Sequence, residues 1–576
     1  MLVCVAAFVV VIGGLMTVSA QKRRPVSREA QNQSGAGSSS SVDEAALREA
    51  ATLLQAGRMD EAETIARRVV KASALDANAH NLLGVILDQR GQVDEAEREY
   101  REALRLNSNS ISARANLGVL LARTKRSREA IESFESVLRL APDHLEANYN
   151  LGLLYAASGD FKRAVTLLER AAGIGPQLQT QGTRANTVDL RLQLALVNAY
   201  LHAGRAADAR RLTESIEQQA GDDPRVLFTL GLQLAEGNEY ERAVKLFERT
   251  NALRPNTAEV LYNLGVALYN LDRLDEASGA LEAAARLSPA DPETLYRLGL
   301  IASARGQSDT ALGFWQKALS LRERFPKANF MIAEELFKNR RSDAAATFYE
   351  RAISQDPAKL IYYIRLGATQ LRQRRYTQAR AIYERGAQRF PDSAEIHYLV
   401  GYAARGQGLF EEARTAFNRS LQLKPDNADV LANLGFLAVQ NGQNEEGERL
   451  LRRAIALDAK NFPAHYDLGR LLVKLKRYEE ALPILERAAG MNDTDPGIHY
   501  QLFTAHSRLK RKQDAERELA IFKRLEEARK KGDGTARTGD AMSKEDETPP
   551  ADNDETMPPP PESTAPTSGN AAPKTP

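Results

Sequence analysis

The stretch YNLGVALYNLDRLDEA, from Tyr262 to Ala277, has a close counterpart in YNLGLLYAASGDFKRA, from Tyr149 to Ala164. Both stretches begin with Tyr-Asn-Leu-Gly and end with Ala after the same interval. The glycine recurs in two series, within which successive occurrences lie 34 residues or a multiple of 34 apart. The first series is Gly84, Gly118 and Gly152, and the second is Gly231, Gly265, Gly299, Gly367, Gly401, Gly435 and Gly469. A period of this length indicates stacked supersecondary units.

A second small residue lies 12 residues after each of these positions and carries the period to both ends of the array. These residues are Ala62, Ala96, Ala130, Ala164, Ala209, Ala243, Ala277, Ala311, Ala345, Ala379, Ala413, Gly447, Ala481 and Ala515. The spacing is 45 instead of 34 only between Ala164 and Ala209, which predicts a longer loop near residues 173–189. Fourteen units over residues 43–529 result. An array needs no central core, which suits a chain of 576 residues.

Each unit is predicted to be a pair of helices. In AEVLYNLGVALYNLD the apolar residues fall at helical spacing, and a turn containing Gly, Asn or Asp separates this helix from the next. Proline residues such as Pro289 then close many units, because proline cannot continue a helix. Gly265 and Ala277 would be the points at which the two helices cross closely, since neither residue has a bulky side chain.

This pattern resembles the tetratricopeptide repeat. Leu264-Gly265, Ala277 and Pro289 match the family's pattern within one unit. The aromatic position of the second helix is filled by Tyr100, Phe134, Phe247, Trp315, Tyr349, Tyr383 and Phe417. The resemblance implies an all-α solenoid, a right-handed superhelix of antiparallel helix pairs. It also implies a concave face, lined by the first helices, that binds peptides or proteins.

The segments outside the array have different compositions. Residues 2–20 carry no charge and end in Val18-Ser19-Ala20, so residues 1–20 are predicted to be a signal peptide or a membrane anchor. Residues 21–42 are expected to be a flexible Ser/Gly-rich linker, and residues 530–576 a disordered, Pro-rich acidic tail. The body is therefore expected to be exported, periplasmic or secreted, or anchored to a membrane. A cytoplasmic body is the less favoured alternative.

No catalytic motif was found in the sequence. HExxH, GxxxxGK[ST], GxSxG and paired CxxC are missing, and Cys4 is the only cysteine. His80, His397, His465 and His499 share the fourth position of their units, which favours packing or helix capping over a metal cluster. No cofactor or metal is expected. Lys plus Arg number 78 and Asp plus Glu 76, which disfavours nucleic acid as a partner.

The expected function is a non-enzymatic scaffold that binds protein or peptide partners. The alternative is a substrate-recognition subunit of an enzyme complex, for example a glycosyltransferase, because the O-GlcNAc transferases have similar repeats. The candidate binding residues lie on the first helices, where asparagine would pair with a partner's backbone and tyrosine would cover its side chains. They are Asn116, Tyr149, Asn150, Tyr262, Asn263, Tyr296, Arg297, Arg365, Tyr398 and Asn433. The alternative role for each asparagine is a hydrogen bond within the scaffold.

Some tetratricopeptide domains clamp the C-terminal carboxylate of heat-shock chaperones. Of the five clamp positions, this chain matches two, at Asn263 and Arg297, while Glu293 stands where a lysine is needed. That ligand is therefore not expected.

Overall fold

Antiparallel helix pairs, one for each period of the sequence, make up the chain. The computed structural model describes residues 39–174 and 189–536, and these residues form 28 helices. The predicted signal or anchor segment, most of the loop near residues 173–189 and nearly all of the C-terminal tail lie outside the described residues. The first helix begins at Ser39, four residues before the predicted start of the array, and the last helix ends at Ala536, seven residues after its predicted end.

The helices divide into two units, with the boundary between Pro289 and Ala290. The helices of the first unit are α1 (Ser39–Gln55), α2 (Met59–Ala72), α3 (Ala77–Gln89), α4 (Val93–Leu106), α5 (Ile111–Arg123), α6 (Ser127–Leu140), α7 (Leu145–Ala157), α8 (Phe161–Ala171), α9 (Leu190–His202), α10 (Ala206–Ala220), α11 (Pro224–Glu236), α12 (Tyr240–Leu253), α13 (Ala258–Asn270) and α14 (Leu274–Leu287).

The second unit contains the other seven pairs. They are α15 (Pro292–Ala304), α16 (Ser308–Leu321), α17 (Pro326–Lys338), α18 (Ser342–Gln355), α19 (Leu360–Arg372), α20 (Tyr376–Arg389), α21 (Ala394–Gly406), α22 (Phe410–Leu423), α23 (Ala428–Gln440), α24 (Asn444–Leu457), α25 (Phe462–Lys474), α26 (Tyr478–Met491), α27 (Pro496–Arg508) and α28 (Lys512–Ala536). In both units each odd-numbered helix is the first of its repeat and packs against the even-numbered helix that follows it.

The recurring glycine of the first helix lies against a large side chain of the second. A Cβ atom built on Gly299 would lie 2.3 Å from Nε1 of Trp315, and one on Gly84 would lie 2.7 Å from the ring of Tyr100. At Gly265 the same atom would lie 2.6 Å from Cγ of Leu281 and 3.2 Å from the backbone oxygen of Ala277. The predicted close crossing of Gly265 and Ala277 is therefore present, but Leu281 makes the tighter contact.

The turn inside each repeat requires one residue with a left-handed backbone conformation, that is, with positive φ. Seven repeats place glycine there, with φ of +76° at Gly57 and +72° at Gly306. The other seven place a residue with a side chain at the same position: Lys125, Asn238, Asp272, Arg340, Arg374, Lys476 and Lys510. The sequence indicated this conformation at Asn238 and Asp272, whereas the lysines and arginines gave no such signal. The packing of the two helices imposes the turn whatever the residue.

Charged side chains of the second helices pair between neighbouring repeats. Arg126, just before α6, bonds Glu97 of α4 at 2.7 Å and Glu129 of its own helix at 2.6 Å. Arg477, just before α26, repeats the arrangement with Glu448 and Glu480 at 2.6 and 2.7 Å. Hydrogen bonds from Arg477 hold the pKa of the Glu448 carboxyl below its usual range. These charged side chains of the second helices therefore form ion pairs within the array.

Candidate functional site

Three of the predicted asparagines already use their amide donors inside the array. Nδ2 of Asn150 donates to the carbonyl of Glu146 at 2.9 Å, and Nδ2 of Asn263 donates to that of Glu259 at 2.8 Å. Nδ2 of Asn116 donates to Oδ1 of Asn81 in the preceding repeat at 3.0 Å. These contacts favour the scaffold role for the three residues, because a donor engaged in this way has to exchange partners before it can bind a peptide backbone.

Three other predicted residues are buried. Tyr296, Tyr398 and Asn433 are 9%, 6% and 4% exposed. The Tyr398 ring packs on Phe417 with centroids 5.8 Å apart, and burial raises the pKa of its hydroxyl. These three side chains are largely covered within the array, so little of their surface is accessible to a partner.

The remaining predicted residues keep some exposure. Tyr149, Tyr262, Arg297 and Arg365 are half-buried. Nε of Arg365 lies 3.3 Å from Oε1 of Glu334, in the first helix of the preceding repeat. Five of the ten predicted residues lie in the first unit and five in the second.

The fourth-position histidines contact the end of the preceding repeat, as packing or capping predicts. Nε2 of His80, His397 and His499 lies 3.2, 2.9 and 3.1 Å from the carbonyl six residues earlier. Nδ2 of Asn148, in the same position of its repeat, donates to the carbonyl of Pro142 at 2.8 Å. His465 differs, because its Nδ1 lies 2.9 Å from the carbonyl of Asn461. Across residues 39–174 and 189–536 no group of three His, Cys, Asp or Glu side chains is arranged to hold a metal.

A polar cavity of about 340 Å³ lies between three successive first helices of the second unit. Gln440 of α23 and Gln501 of α27 line it from the two sides, and Asp467, Arg470 and Lys474 of α25 lie between them. Its apolar wall comprises Phe436, Val439, Leu471 and Val473. None of these residues is among the ten candidates predicted from the sequence. The available signal was Asp467 itself, a charged residue at the position that holds Asn116, Asn150, Asn263 and Asn433 in other repeats.

Most polar side chains of this cavity form no hydrogen bond or ion pair with the described residues, whereas Arg470 lies over the Tyr466 ring, 5.8 Å from its centroid. Asp467 is only 9% exposed, yet its carboxylate accepts no hydrogen bond and forms no ion pair with any described residue. Gln440, Lys474 and Gln501 likewise form no hydrogen bond or ion pair in the described part of the chain. Burial raises the pKa of the Asp467 carboxyl, while Arg470 and Arg405 act in the opposite direction.

Arg405 supports one wall of the cavity. Its guanidinium lies over the Phe436 ring, 4.3 Å from the centroid, and donates a hydrogen bond to Oδ1 of Asn433. Since Arg405 is 8% exposed, these contacts hold it in place and orient Phe436 toward the cavity. The buried Asn433 therefore serves the cavity indirectly, by positioning Arg405.

A second cavity, of about 580 Å³, lies among α6, α7 and α8. Here the main polar groups pair with one another. The Tyr155 hydroxyl donates to Glu135 at 2.7 Å, and the Arg163 guanidinium lies 5.3 Å from the Tyr155 ring centroid. The carboxylate that lines this cavity, Glu135, therefore has a hydrogen-bond donor, whereas Asp467 has none among the described residues.

Comparison with protein-family models agrees with the helix pairs. A model of the tetratricopeptide repeat matches residues 47–111, 115–178 and 228–292, and a second model of the same repeat matches residues 190–215. The chain is a tetratricopeptide repeat protein. Another model, described as the cilia and flagella-associated protein 70 C-terminal domain, matches residues 317–542 of this tetratricopeptide protein. No curated protein sequence matches the chain.

Several solved structures are similar to this tetratricopeptide protein at low identity. A chain from the crystal structure of the APC/C hetero-tetramer Cut9-Hcn1 is 13% identical in sequence, with a TM-score of 0.33. The match covers 81% of this chain and 97% of that chain. Yeast Tom70 is 16% identical in sequence, with a TM-score of 0.31. The match covers 76% of this chain and 96% of that chain. The C-terminal part of a TPR repeat-containing protein from Cytophaga hutchinsonii is 17% identical, with a TM-score of 0.38, over 42% and 99%. The family assignment rests on the repeat models and the helix pairs rather than on these superpositions.

Tetratricopeptide arrays generally act as scaffolds for protein–protein interactions, and the family is generally non-catalytic. Among the helices of residues 39–174 and 189–536, none is both long and apolar enough to span a bilayer. The predicted segment at residues 1–20 is not part of these ranges.

Proposed function

We propose that this tetratricopeptide protein is a scaffold that binds protein partners through its first helices, and that it is exported or tethered to a membrane. The observation that supports binding through the first helices is the cavity formed by α23, α25 and α27. Asp467, Gln440, Lys474 and Gln501 line this cavity together and form no hydrogen bond or ion pair with the described residues. The charged groups of α24 and α26, by contrast, pair with each other through Arg477 and Glu448.

The physical reason is the hydrogen-bonding capacity that the array leaves unused at this surface. The Asp467 carboxylate only accepts hydrogen bonds, and no described residue donates one to it. A partner that donates to it gains a charge-assisted contact without breaking one inside the array.

The test is site-specific photo-crosslinking of the full chain in the cells that produce it. A benzoylphenylalanine placed at Gln440 or Gln501 reports on the cavity, and one at Glu486, exposed on the second helix α26, is the matched control. We expect discrete crosslinked proteins from the two cavity positions and none from Glu486. Crosslinks of equal yield from all three positions, or from Glu486 alone, would contradict binding through the first helices.

The proposed location is supported by the uncharged residues 2–20 and by Val18-Ser19-Ala20, which resembles a signal-peptidase site. We expect the mature chain to begin at Gln21, or the intact chain to sediment with membranes. Mass spectrometry of the N-terminal peptide together with cell fractionation measures both. Intact chain beginning at Met1 in the soluble cytoplasmic fraction would exclude both forms of the proposal.

A further inference from the structure

The charges around the cavity are unequal in number. One carboxylate, Asp467, faces two cations, Arg470 and Lys474, on the same helix. The three residues are spaced by three and then four positions, so they follow one side of α25. Lys474 is exposed and Arg470 half-buried, whereas Asp467 is buried, so the cations lie nearer to solvent than the carboxylate does.

The two kinds of group require opposite partners. An ionised carboxylate only accepts hydrogen bonds, whereas guanidinium and ammonium groups only donate them. A cationic side chain would satisfy Asp467 but would meet Arg470, Lys474 and the nearby Arg405. A small free anion would satisfy the cations but leave Asp467 without a donor.

An acidic residue within a peptide meets both demands. Its backbone N–H can donate to Asp467, and its side-chain carboxylate can accept from Arg470 and Lys474. Gln440 and Gln501, on either side, can each donate to and accept from the neighbouring peptide units. A cavity of about 340 Å³ is small for a ligand site and suits one side chain with its peptide unit.

We propose that this cavity recognises an Asp or Glu residue within an extended segment of a protein partner. Arg470 and Lys474 bind the acidic side chain, and Asp467 binds the backbone N–H. This specificity rests on the proposed function, because it assigns a ligand to the surface that the crosslinking experiment locates.

The test is binding of the full chain to a positional-scanning library of eight-residue peptides. The peptides have acetylated and amidated ends, so that no terminal carboxylate contributes. A second library with free C-terminal carboxylates separates recognition of an internal acidic residue from recognition of a chain end. The variants are Arg470→Gln, Lys474→Gln and Asp467→Asn. The matched control is Arg487→Gln on α26, where the arginine is exposed and forms no ion pair with a described residue.

We expect the blocked library to be enriched in peptides with Asp or Glu at one position. Arg470→Gln and Lys474→Gln should each reduce that preference about tenfold, as the loss of a charge-assisted hydrogen bond predicts. Asp467→Asn should weaken all selected peptides without changing the preference, and Arg487→Gln should change neither. Circular dichroism melts of the four variants show that each remains folded.

Three results would overturn the proposal: a preference for Lys or Arg, binding of free-carboxylate peptides alone, or a preference for acidic residues that survives both cation variants. If crosslinks at Gln440 and Gln501 form while any of these results is obtained, the scaffold function stands and only the assigned ligand fails. If the crosslinks also fail, both proposals fail.

Discussion

At the scale of single residues, the first-helix positions of the repeats hold glycine because a large side chain of the second helix fills the space that a Cβ atom would need. Glycine normally destabilises a helix interior by roughly 0.5–1 kcal/mol relative to alanine. Gly299 is an exception, because Trp315 is fully buried against it and donates its Nε1 proton to the carbonyl of Tyr296 at 3.1 Å. A methyl group at Gly299 would displace the indole and break this hydrogen bond.

We therefore predict that Gly299→Ala destabilises the chain by about 1–3 kcal/mol, the usual range for overpacking. Gly313→Ala, in the same repeat, is the matched control. Gly313 is exposed in α16 with nothing within 4 Å of the added Cβ, so alanine there should stabilise by about 0.5–1 kcal/mol. Urea unfolding followed by circular dichroism measures both, and the same sign for the two variants would refute the packing argument.

Asp467 gives a prediction about pH. Burial raises the pKa of its carboxyl in the folded chain, so ionisation is less favourable there than in the unfolded chain. Its contribution to stability is fully present below the unfolded pKa and is lost as the pH rises through the folded pKa. Asp467→Asn, which cannot ionise, should therefore melt at a higher temperature than the parent chain at pH 7.

The difference should shrink as the pH falls toward the unfolded pKa of about 3.9 and should vanish below it, where the parent carboxyl is protonated in both states. Differential scanning calorimetry at several pH values provides the measurement. A variant that melts lower than the parent at pH 7 would mean that Asp467 has a structural partner. Measuring the peptide affinity of Asp467→Asn as well separates the effect of Asp467 on stability from its effect on binding.

At the scale of elements, the turn between the two helices of each repeat is the most uniform feature of the described chain. All fourteen repeats place a residue of positive φ at the same position, although half of these residues carry a side chain. A left-handed conformation costs a residue with a Cβ roughly 1–2 kcal/mol. The helix packing on both sides compensates for this cost, which is how Lys125 occupies the position with φ of +63°.

Lys125→Gly should accordingly stabilise the chain, by about 0.5–1 kcal/mol after the larger entropy of glycine in the unfolded state is subtracted. The matched control is Lys162→Gly. Lys162 is also exposed, but it lies in helix α8, where glycine should destabilise by about 1 kcal/mol. Chemical denaturation measures the pair, and a loss of stability in Lys125→Gly would show that the lysine side chain makes a compensating contact.

At the scale of the whole molecule, the repeats of each unit contact chiefly their neighbours along the chain. Such arrays are nearly one-dimensional, so an insertion between two helices disturbs little as long as the helices on either side still pack together. The first unit meets this condition, because α8 ends at Ala171, α9 begins at Leu190, and the two helices contact each other.

Limited proteolysis of the full chain should therefore cut within residues 173–189 before it cuts the short turns of the repeats. The two products should remain associated, since α8 and α9 still pack after the connection is broken. Native size-exclusion chromatography followed by mass spectrometry of the fragments measures this outcome. Equal cutting at many turns, or immediate separation of the fragments, would contradict it.

The sequence by itself determined the helix pairs, their period and the close crossing of two small residues inside a repeat. These features depend on residues close together in the chain, such as Gly265 and Ala277, and the repetition made them visible. The family and the scaffold class followed from the same pattern.

Only the tertiary structure decided which polar groups are satisfied. Asn150 and Asn263 looked like binding residues, but their donors are occupied by carbonyls of their own helices. Asp467 was not selected, although it is buried without a hydrogen-bond or ion-pair partner among the described residues. The physical reason is that hydrogen bonding and burial at this surface depend on side chains from α23, α25 and α27. These helices belong to three different repeats, and the periodic pattern, which is the same in every repeat, carries no information about how such side chains combine.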